Sequence, residues 1–206
     1  MPPFDPASPG RYPAVVGCDE VGRGALCGPV VVAAVWFDPA AIPPSVLGRL
    51  DDSKRLDRAT REALAPEIRA CARIALAAGS RALVERINVR AATLDAMRRA
   101  VVGLGLDGPV MVDGRDPIPG LDRPCTAIVG GDRLVPQIAA ASILAKTVRD
   151  ALMRALAVRY PSYGWDSNVG YGTRTHLAGL ASLGRTPHHR ISFTRRYAQL
   201  PGVTAG

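Results

Sequence analysis

Three separate segments of the sequence end an apolar run in a carboxylate: VVGCDE at 15–20, VMVDG at 110–114 and AIVGGD at 127–132. If these runs are neighbouring strands, they bring to one rim of a sheet the side chains of Asp19, Glu20, Asp113 and Asp132. Carboxylates so close together repel one another and resist desolvation, so they need a compensating positive charge. Mg²⁺ and Mn²⁺ prefer oxygen ligands, and two such ions would clamp a phosphodiester and activate a water molecule.

The same pattern has an ordinary interpretation. Asp commonly begins a turn, and the four acids could pair with some of the 26 Lys and Arg residues. The acidic pattern alone slightly favours this interpretation. The net charge of +8 shifts the balance toward a nuclease, because a basic protein suits a polyanionic partner.

A glycine-flanked arginine, Gly22-Arg23-Gly24, follows the first acidic pair almost immediately. Glycines lack a Cβ atom, so a nucleic-acid backbone could closely approach the N–H and C=O groups of this segment. The alternative is a strand-connecting turn in which Arg23 is only solvated. The segment therefore adds to the nuclease hypothesis without deciding it.

The elements that must position these residues follow from the hydrophobic pattern. Strands are predicted at 13–19, 29–37, 72–78, 109–114 and 125–132. Helices are predicted at 59–72, 89–104, 135–160 and 173–184, with Asn88 as an N-cap and Gly184 as a stop. This mixture predicts an α/β layer fold with one mixed sheet.

Composition limits the remaining possibilities. A chain of 206 residues with 48% hydrophobic residues is long enough for one domain with a real core. Its four cysteines have no C-x-x-C spacing, which favours reduced thiols in a cytosolic protein. The N-terminus has neither a basic nor an apolar region of a signal peptide, and no stretch reaches the roughly 20 apolar residues of a membrane span. A cytoplasmic location without membrane attachment is expected.

Six motifs occur in a fixed order that resembles bacterial ribonuclease HII. They are DEVGRG, DDSKRL, VDG, GD…VPQIAAASILAKTVRD, GYGTRTHL and HHRISF. Each motif alone is weakly specific, but the ordered set is highly specific and covers about residues 13–195.

The resemblance implies a ribonuclease H-like fold, in which helices flank a central mixed five-stranded sheet. It implies a catalytic domain at 13–160 and a C-terminal helical part at 161–200 that carries the Tyr171 loop. Residues 1–12 would be a flexible arm and 201–206 a tail. A monomer is expected, because one active site suffices.

The resemblance also implies a metal-dependent endonuclease, a type 2 ribonuclease H. It would hydrolyse the RNA strand of RNA–DNA hybrids and incise 5′ to single ribonucleotides in duplex DNA, leaving 3′-hydroxyl and 5′-phosphate ends. Ribonucleotide excision repair and primer removal are the implied roles. Whether replication proteins recruit the chain is left open.

By motif match, the catalytic and metal-binding acids are Asp19, Glu20, Asp113 and Asp132, with two Mg²⁺ or Mn²⁺ ions as cofactors. The implied substrate-binding residues are Gly22, Arg23, Gly24, Ser53, Lys54, Ser142, Lys146 and Tyr171. The Gly22–Gly24 segment would contact the 2′-hydroxyl, which distinguishes RNA from DNA. Tyr171 would stack on the sugar that follows the ribonucleotide.

Several of these residues have a second interpretation. Ser53 and Lys54 could form a solvated turn, and Ser142 could be a small packing residue. Asp150 is expected to be structural and paired with a nearby arginine. A structural role is also expected for His176, because the sequence offers it no orienting partner.

The chain departs from the family pattern at two places. Gly130 stands where many members have Lys, and Asn168-Val169 stands where many have His-Lys. These changes affect one or two expected contacts with backbone phosphates. The lost lysines should weaken affinity and flatten its salt dependence, unless neighbouring basic residues such as Arg133 or Arg174 compensate.

Two other classes remain as alternatives. A non-catalytic module that binds duplex nucleic acid would show binding without turnover, although the four acids argue against it. The related ribonuclease HIII carries an extra N-terminal domain, which an arm of about a dozen residues does not supply.

Overall fold

The computed structural model describes residues 13–197. Their strands are β1 (Val16–Val21), β2 (Val30–Trp36), β3 (Arg73–Gly79), β4 (Val110–Asp113) and β5 (Cys125–Ile128). Their α-helices are α1 (Pro44–Leu47), α2 (Arg58–Cys71), α3 (Arg81–Ile87), α4 (Val89–Gly103), α5 (Pro136–Arg159), α6 (Trp165–Asn168), α7 (Arg174–Leu183) and α8 (Ile191–Thr194). Short 3₁₀ turns lie at Gly131–Arg133, Pro161–Tyr163 and Arg195–Tyr197.

The five strands form one sheet in the order β3-β2-β1-β4-β5. Strand β1 is antiparallel to β2 and parallel to β4, and β4 is parallel to β5. The sheet is therefore mixed, and the prediction of a mixed five-stranded sheet flanked by helices is confirmed.

Strand β2 is apolar at every position because both of its faces are covered. Ala33 and Val35 pack in a core cluster with the small residues of α5, whereas Val32 and Ala34 pack in a second cluster with Met97 of α4. This division follows the two-residue period of a strand. Two opposed helices thus fix the central strands from both sides.

Helix α5 lies unusually close to β1. A Cβ atom built on Gly17 would lie 2.3 Å from the backbone carbon of Gln137. Only glycine fits at this position, because any side chain would collide with the backbone of α5. The close packing of α5 on the sheet therefore depends on Gly17.

Two predicted strand ends were wrong. Strand β1 continues past Asp19 to Val21, because its last three residues pair with the antiparallel partner β2. Strand β5 ends at Ile128, and Asp132 lies in the 3₁₀ turn that follows. Helix α3 was not predicted, although Ser80 caps it by accepting a hydrogen bond from the Leu83 N–H at 3.1 Å.

The chain divides into two compact units. In the described residues, the first comprises 13–21, Val31–Ala78 and Thr93–Thr147. The second comprises Gly22–Val30, Gly79–Ala92 and the chain from Val148 onward. The domain boundaries predicted at 13–160 and 161–200 stay predictions beside this division, and the predicted arm and tail lie outside the described residues. No helix within 13–197 is long and apolar enough to cross a membrane.

Candidate active site

The first unit brings carboxylates to the ends of adjacent parallel strands. The ladder between β1 and β4 ends at the pair Cys18–Val112, so Asp19 and Asp113 occupy the next position on each strand. Asp113 Oδ1 accepts a hydrogen bond from the Gly131 N–H at 2.8 Å. This bond ties the 3₁₀ turn that carries Asp132 to the end of β4.

The electrostatics show that these acids share one environment. Burial raises the pKa of Asp19 well above its ordinary value, and the charges of Glu20 and Asp113 raise it further. Burial, with the charges of Asp113 and Asp52, raises the pKa of Asp132 to about 6. Asp19 and Asp132 therefore resist ionisation, as expected for buried carboxylates beside other negative charges.

Lys54 supplies part of that positive charge. The pKa of its ammonium group lies above the ordinary value, although burial by itself would lower it. The carboxylates that raise it are, in decreasing order, Asp52, Asp19, Asp132 and Asp113. Arg61 holds the loop before Lys54, because its Nη1 donates to the Ser53 carbonyl oxygen at 2.8 Å.

Two buried serines form a short hydrogen-bonded chain that ends at Asp19. The hydroxyl oxygens of Ser53 and Ser142 lie 2.8 Å apart, and a hydrogen bond from the Ser142 side chain lowers the pKa of Asp19. A carboxylate only accepts, so Ser142 donates to Asp19 and Ser53 donates to Ser142. Ser142 thereby orients a predicted catalytic acid, a role that the sequence did not indicate.

The donor set fits a hard divalent cation by its chemistry. It consists of carboxylate oxygens, and the raised pKa values of Asp19 and Asp132 indicate that these two groups lack a compensating positive charge. Across residues 13–197, however, no three or more His, Cys, Asp or Glu side chains are arranged so that they could hold a metal ion as they stand.

The second unit contains Gly22, Arg23, Gly24 and Tyr171. Gly22 has φ +92°, a conformation that favours glycine, whereas Arg23 and Gly24 are exposed. A Cβ atom on Gly24 would lie 3.9 Å from the edge of the Tyr171 ring. The Leu26 N–H donates to the Gly170 carbonyl oxygen at 2.8 Å and joins the two loops. Two predicted substrate-binding elements are thus neighbours.

A buried histidine pair supports the Tyr171 loop. His176 Nδ1 lies 2.9 Å from the Tyr171 carbonyl oxygen, and its Nε2 accepts from the Trp165 indole at 3.1 Å. His189 Nδ1 accepts from the Thr186 N–H at 2.8 Å, so its Nε2–H faces His176 Nε2 at 3.0 Å. These contacts agree with the structural role expected for His176.

Lys146 and Asp150, which were also considered from the sequence, lie on α5. Lys146 is half-buried one turn after Ser142, as the spacing predicts. Asp150 is buried next to Arg149, whose pKa burial lowers and the negative charge of Asp150 partly restores.

A mixed five-stranded sheet with carboxylates at the ends of its parallel central strands defines a nuclease of the ribonuclease H type. The chain belongs to the ribonuclease HII family, whose sequence profile matches residues 16–196. A ribonuclease HII from Paramagnetospirillum magneticum is 51% identical over 180 residues, which cover 87% of this chain and 89% of that protein.

Solved structures agree with this assignment. The ribonuclease H2 of Pyrococcus horikoshii has a TM-score of 0.74 at 23% identity, over 91% of this chain and 98% of that one. The ribonuclease HII of Archaeoglobus fulgidus, solved in a complex with PCNA, has a TM-score of 0.70 at 27% identity, over 85% and 92%. Ribonucleases HII are metal-dependent and cleave RNA in RNA–DNA hybrids and at single ribonucleotides in DNA. The predicted family and activity are confirmed.

Proposed function

We propose that the chain incises the phosphodiester on the 5′ side of a ribonucleotide by two-metal hydrolysis, leaving 3′-hydroxyl and 5′-phosphate ends. The observation that supports this most directly is the position of Asp19 and Asp113, side by side at the end of the β1–β4 ladder with the pKa of Asp19 raised. Monomeric action, ribonucleotide excision repair and primer removal belong to the same proposal.

The acids Asp19, Glu20, Asp113 and Asp132 would hold the ions. When bound, divalent cations supply a nucleophilic hydroxide and stabilise negative charge on the departing 3′-oxygen. The chain itself orients Asp19 through Ser142, whose hydrogen bond partly offsets the effect of burial on the pKa of Asp19. It also places the ammonium group of Lys54 among the carboxylates. Lys54 is exposed, so it is also available to a substrate phosphate.

Selection for RNA rests on the second unit. Gly24 is exposed and has no side chain, so its backbone N–H and C=O groups would contact a 2′-hydroxyl, and the Tyr171 ring would stack on the sugar that follows. Backbone groups held in place are left unpaired when the hydroxyl is missing, which is costly. The site therefore rejects DNA by the loss of hydrogen bonds.

The test is a gel-resolved cleavage assay. Its substrate is duplex DNA with one ribonucleotide, beside all-DNA and RNA–DNA hybrid duplexes, in Mg²⁺, Mn²⁺ or EDTA. We expect one metal-dependent nick on the 5′ side of the ribonucleotide and intact all-DNA. Asp19→Asn and Asp113→Asn should abolish the nick, whereas Asp166→Asn, at an exposed acid of α6, should cleave normally.

Two results would contradict the proposal. Cleavage by a clean preparation of Asp19→Asn at the wild-type rate would remove the acids from the chemistry. Tight duplex binding with no turnover in either metal would instead favour the non-catalytic binding module.

A further inference from the structure

Two arginines of the second unit are fully buried, Arg149 on α5 and Arg190 before α8. Arg149 donates three hydrogen bonds to backbone carbonyl oxygens. Its Nε donates to Pro29 at 3.0 Å, its Nη1 to Val169 at 2.9 Å and its Nη2 to Cys27 at 3.1 Å. One side chain thereby joins the loop that follows β1 to the loop that precedes Tyr171.

Arg190 holds the other half of the same loop. Its Nε and Nη2 both donate to the Gly28 carbonyl oxygen, at 3.0 and 2.8 Å. Its Nη1 donates to the carbonyl oxygen of Arg23 at 2.8 Å. Arg23 is the central residue of the glycine-flanked segment, so Arg190 fixes the backbone direction at the predicted site of 2′-hydroxyl recognition.

Arg149 also contacts both predicted recognition elements through its side-chain body. A Cβ atom on Gly22 would lie 2.1 Å from Arg149 Nε, so the guanidinium fills the space that a side chain at Gly22 would need. The Arg149 Cζ lies 5.6 Å from the centre of the Tyr171 ring, a cation–π distance. Gly22 and Tyr171 therefore share one rigid support.

Burying two positively charged guanidinium groups side by side costs free energy, so stabilising the fold does not by itself account for them. Burial lowers the pKa of Arg149, and burial followed by the charge of Arg149 lowers the pKa of Arg190 to about 10. The positive charge of Arg149 thus disfavours the charged form of Arg190. Apolar side chains of similar volume often fill such positions at no loss of stability. The two guanidinium groups instead fix the direction of the backbone, because each one binds more than one carbonyl oxygen at the same time.

We propose that Arg149 and Arg190 are positioning residues for ribonucleotide recognition, which hold Gly22–Gly24 and Tyr171 in register so that both contact the same ribonucleotide. The inference rests on the proposed function of those two elements. It assigns their relative placement to two side chains that do not themselves touch the substrate.

Weaker support from Arg149 or Arg190 should affect cleavage of a single-ribonucleotide duplex and of a long RNA–DNA hybrid differently. A single ribonucleotide offers one 2′-hydroxyl, so both elements must meet it in one register. A long RNA–DNA hybrid offers a hydroxyl at every position and tolerates a shift. A misplacement of about 1 Å can cost about a hundredfold in rate, and that cost falls mainly on the single-ribonucleotide substrate.

The activity test uses Arg149→Lys and Arg190→Lys, which keep the charge and lose the fork. Arg159→Lys is the matched control, an exposed arginine at the end of the same helix as Arg149. We expect the ratio of kcat/KM for the single-ribonucleotide duplex to that for the hybrid to fall roughly tenfold to hundredfold in the first two variants. Partial unfolding alone lowers both activities equally and leaves the ratio unchanged. An unchanged ratio would overturn the proposal.

A second readout does not depend on cleavage. Amide hydrogen exchange of the full chain should become faster in residues 22–30 and 168–172 together in Arg149→Lys, and stay unchanged in Arg159→Lys. If neither segment exchanges faster, the support assigned to Arg149 is wrong. If Arg149→Lys fails to fold, Arg190→Lys is measured in the same two ways.

The two proposals can fail separately. A wild-type chain that cleaves no ribonucleotide substrate refutes the proposed function, and the recognition role of Arg149 and Arg190 falls with it. A wild-type chain that cleaves normally, beside lysine variants with an unchanged ratio, refutes only the role of the two arginines.

Discussion

Replacing Gly22 by alanine should be far more harmful than the same change two residues later. Gly22 has φ +92°, which costs an alanine about 1–2 kcal/mol. The added Cβ would also lie 2.1 Å from Arg149 Nε, so the guanidinium must move. At Gly24 the nearest atom to an added Cβ is Tyr171 Cε1 at 3.9 Å, an ordinary contact.

The magnitude follows from what Arg149 would lose. Its three hydrogen bonds to carbonyl oxygens are charge-assisted, and each contributes about 1.5–3 kcal/mol. Loss of one or two of them, added to the backbone strain, gives about 4 kcal/mol for Gly22→Ala. Gly24→Ala should change the free energy of unfolding by about 0.5 kcal/mol or less.

Urea denaturation followed by tryptophan fluorescence measures the difference, since Trp165 is fully buried in the second unit. With an m-value of about 2 kcal/mol per molar urea, the midpoint of Gly22→Ala should fall by about 2 M. The Gly24→Ala midpoint should stay close to wild type, although its methyl group should impair ribonucleotide cleavage by keeping the substrate backbone away. Equal midpoints for the two variants would refute the steric argument.

Three further predictions concern the first unit. Gly17→Ala should strongly destabilise the fold, since its Cβ would lie 2.3 Å from the Gln137 backbone, whereas Gly103→Ala, nearest to a side chain at 4.0 Å, should be neutral or stabilising in a thermal melt. Because burial raises the pKa of Asp132 from 3.8 to about 6, folding favours the protonated form of this side chain. Its contribution to stability is fully present below about pH 4 and is lost as the pH rises through 6. Denaturation in EDTA should show that slope, and Asp132→Asn should flatten it. Ser142→Ala removes a hydrogen bond that lowers the pKa of Asp19 against the larger effect of burial, so Asp19 should ionise less readily and cleavage should need several-fold more Mg²⁺. An unchanged Mg²⁺ requirement would contradict this role.

Much of the fold could be predicted because its elements depend on local pattern. The helix predicted at 89–104 is observed as Val89–Gly103, with Met97 and Val101 buried as its periodicity requires. The end of β1 could not be predicted, because it depends on pairing with β2 rather than on the residues of β1 themselves. The seven residues of α3 are too few to display a helical period clearly.

The sequence by itself determined the chemistry available to this protein. Carboxylates after apolar runs, a glycine-flanked arginine and an ordered set of motifs indicate a metal-dependent nuclease without any coordinates, because those properties belong to residue types and their order. The same reasoning predicted Asp19, Asp113 and Tyr171 as site residues, and these assignments stay predictions.

Only the tertiary structure decided how those residues are held. Arg190 binds the carbonyl oxygen of a residue 167 positions earlier, and Arg149 binds that of Cys27, 122 positions earlier. Every residue carries the same backbone carbonyl, so no side-chain pattern marks these acceptors in the sequence. The contact between Ser53 and Ser142, 89 positions apart, is hidden for the related reason that either serine alone looks like a packing or turn residue.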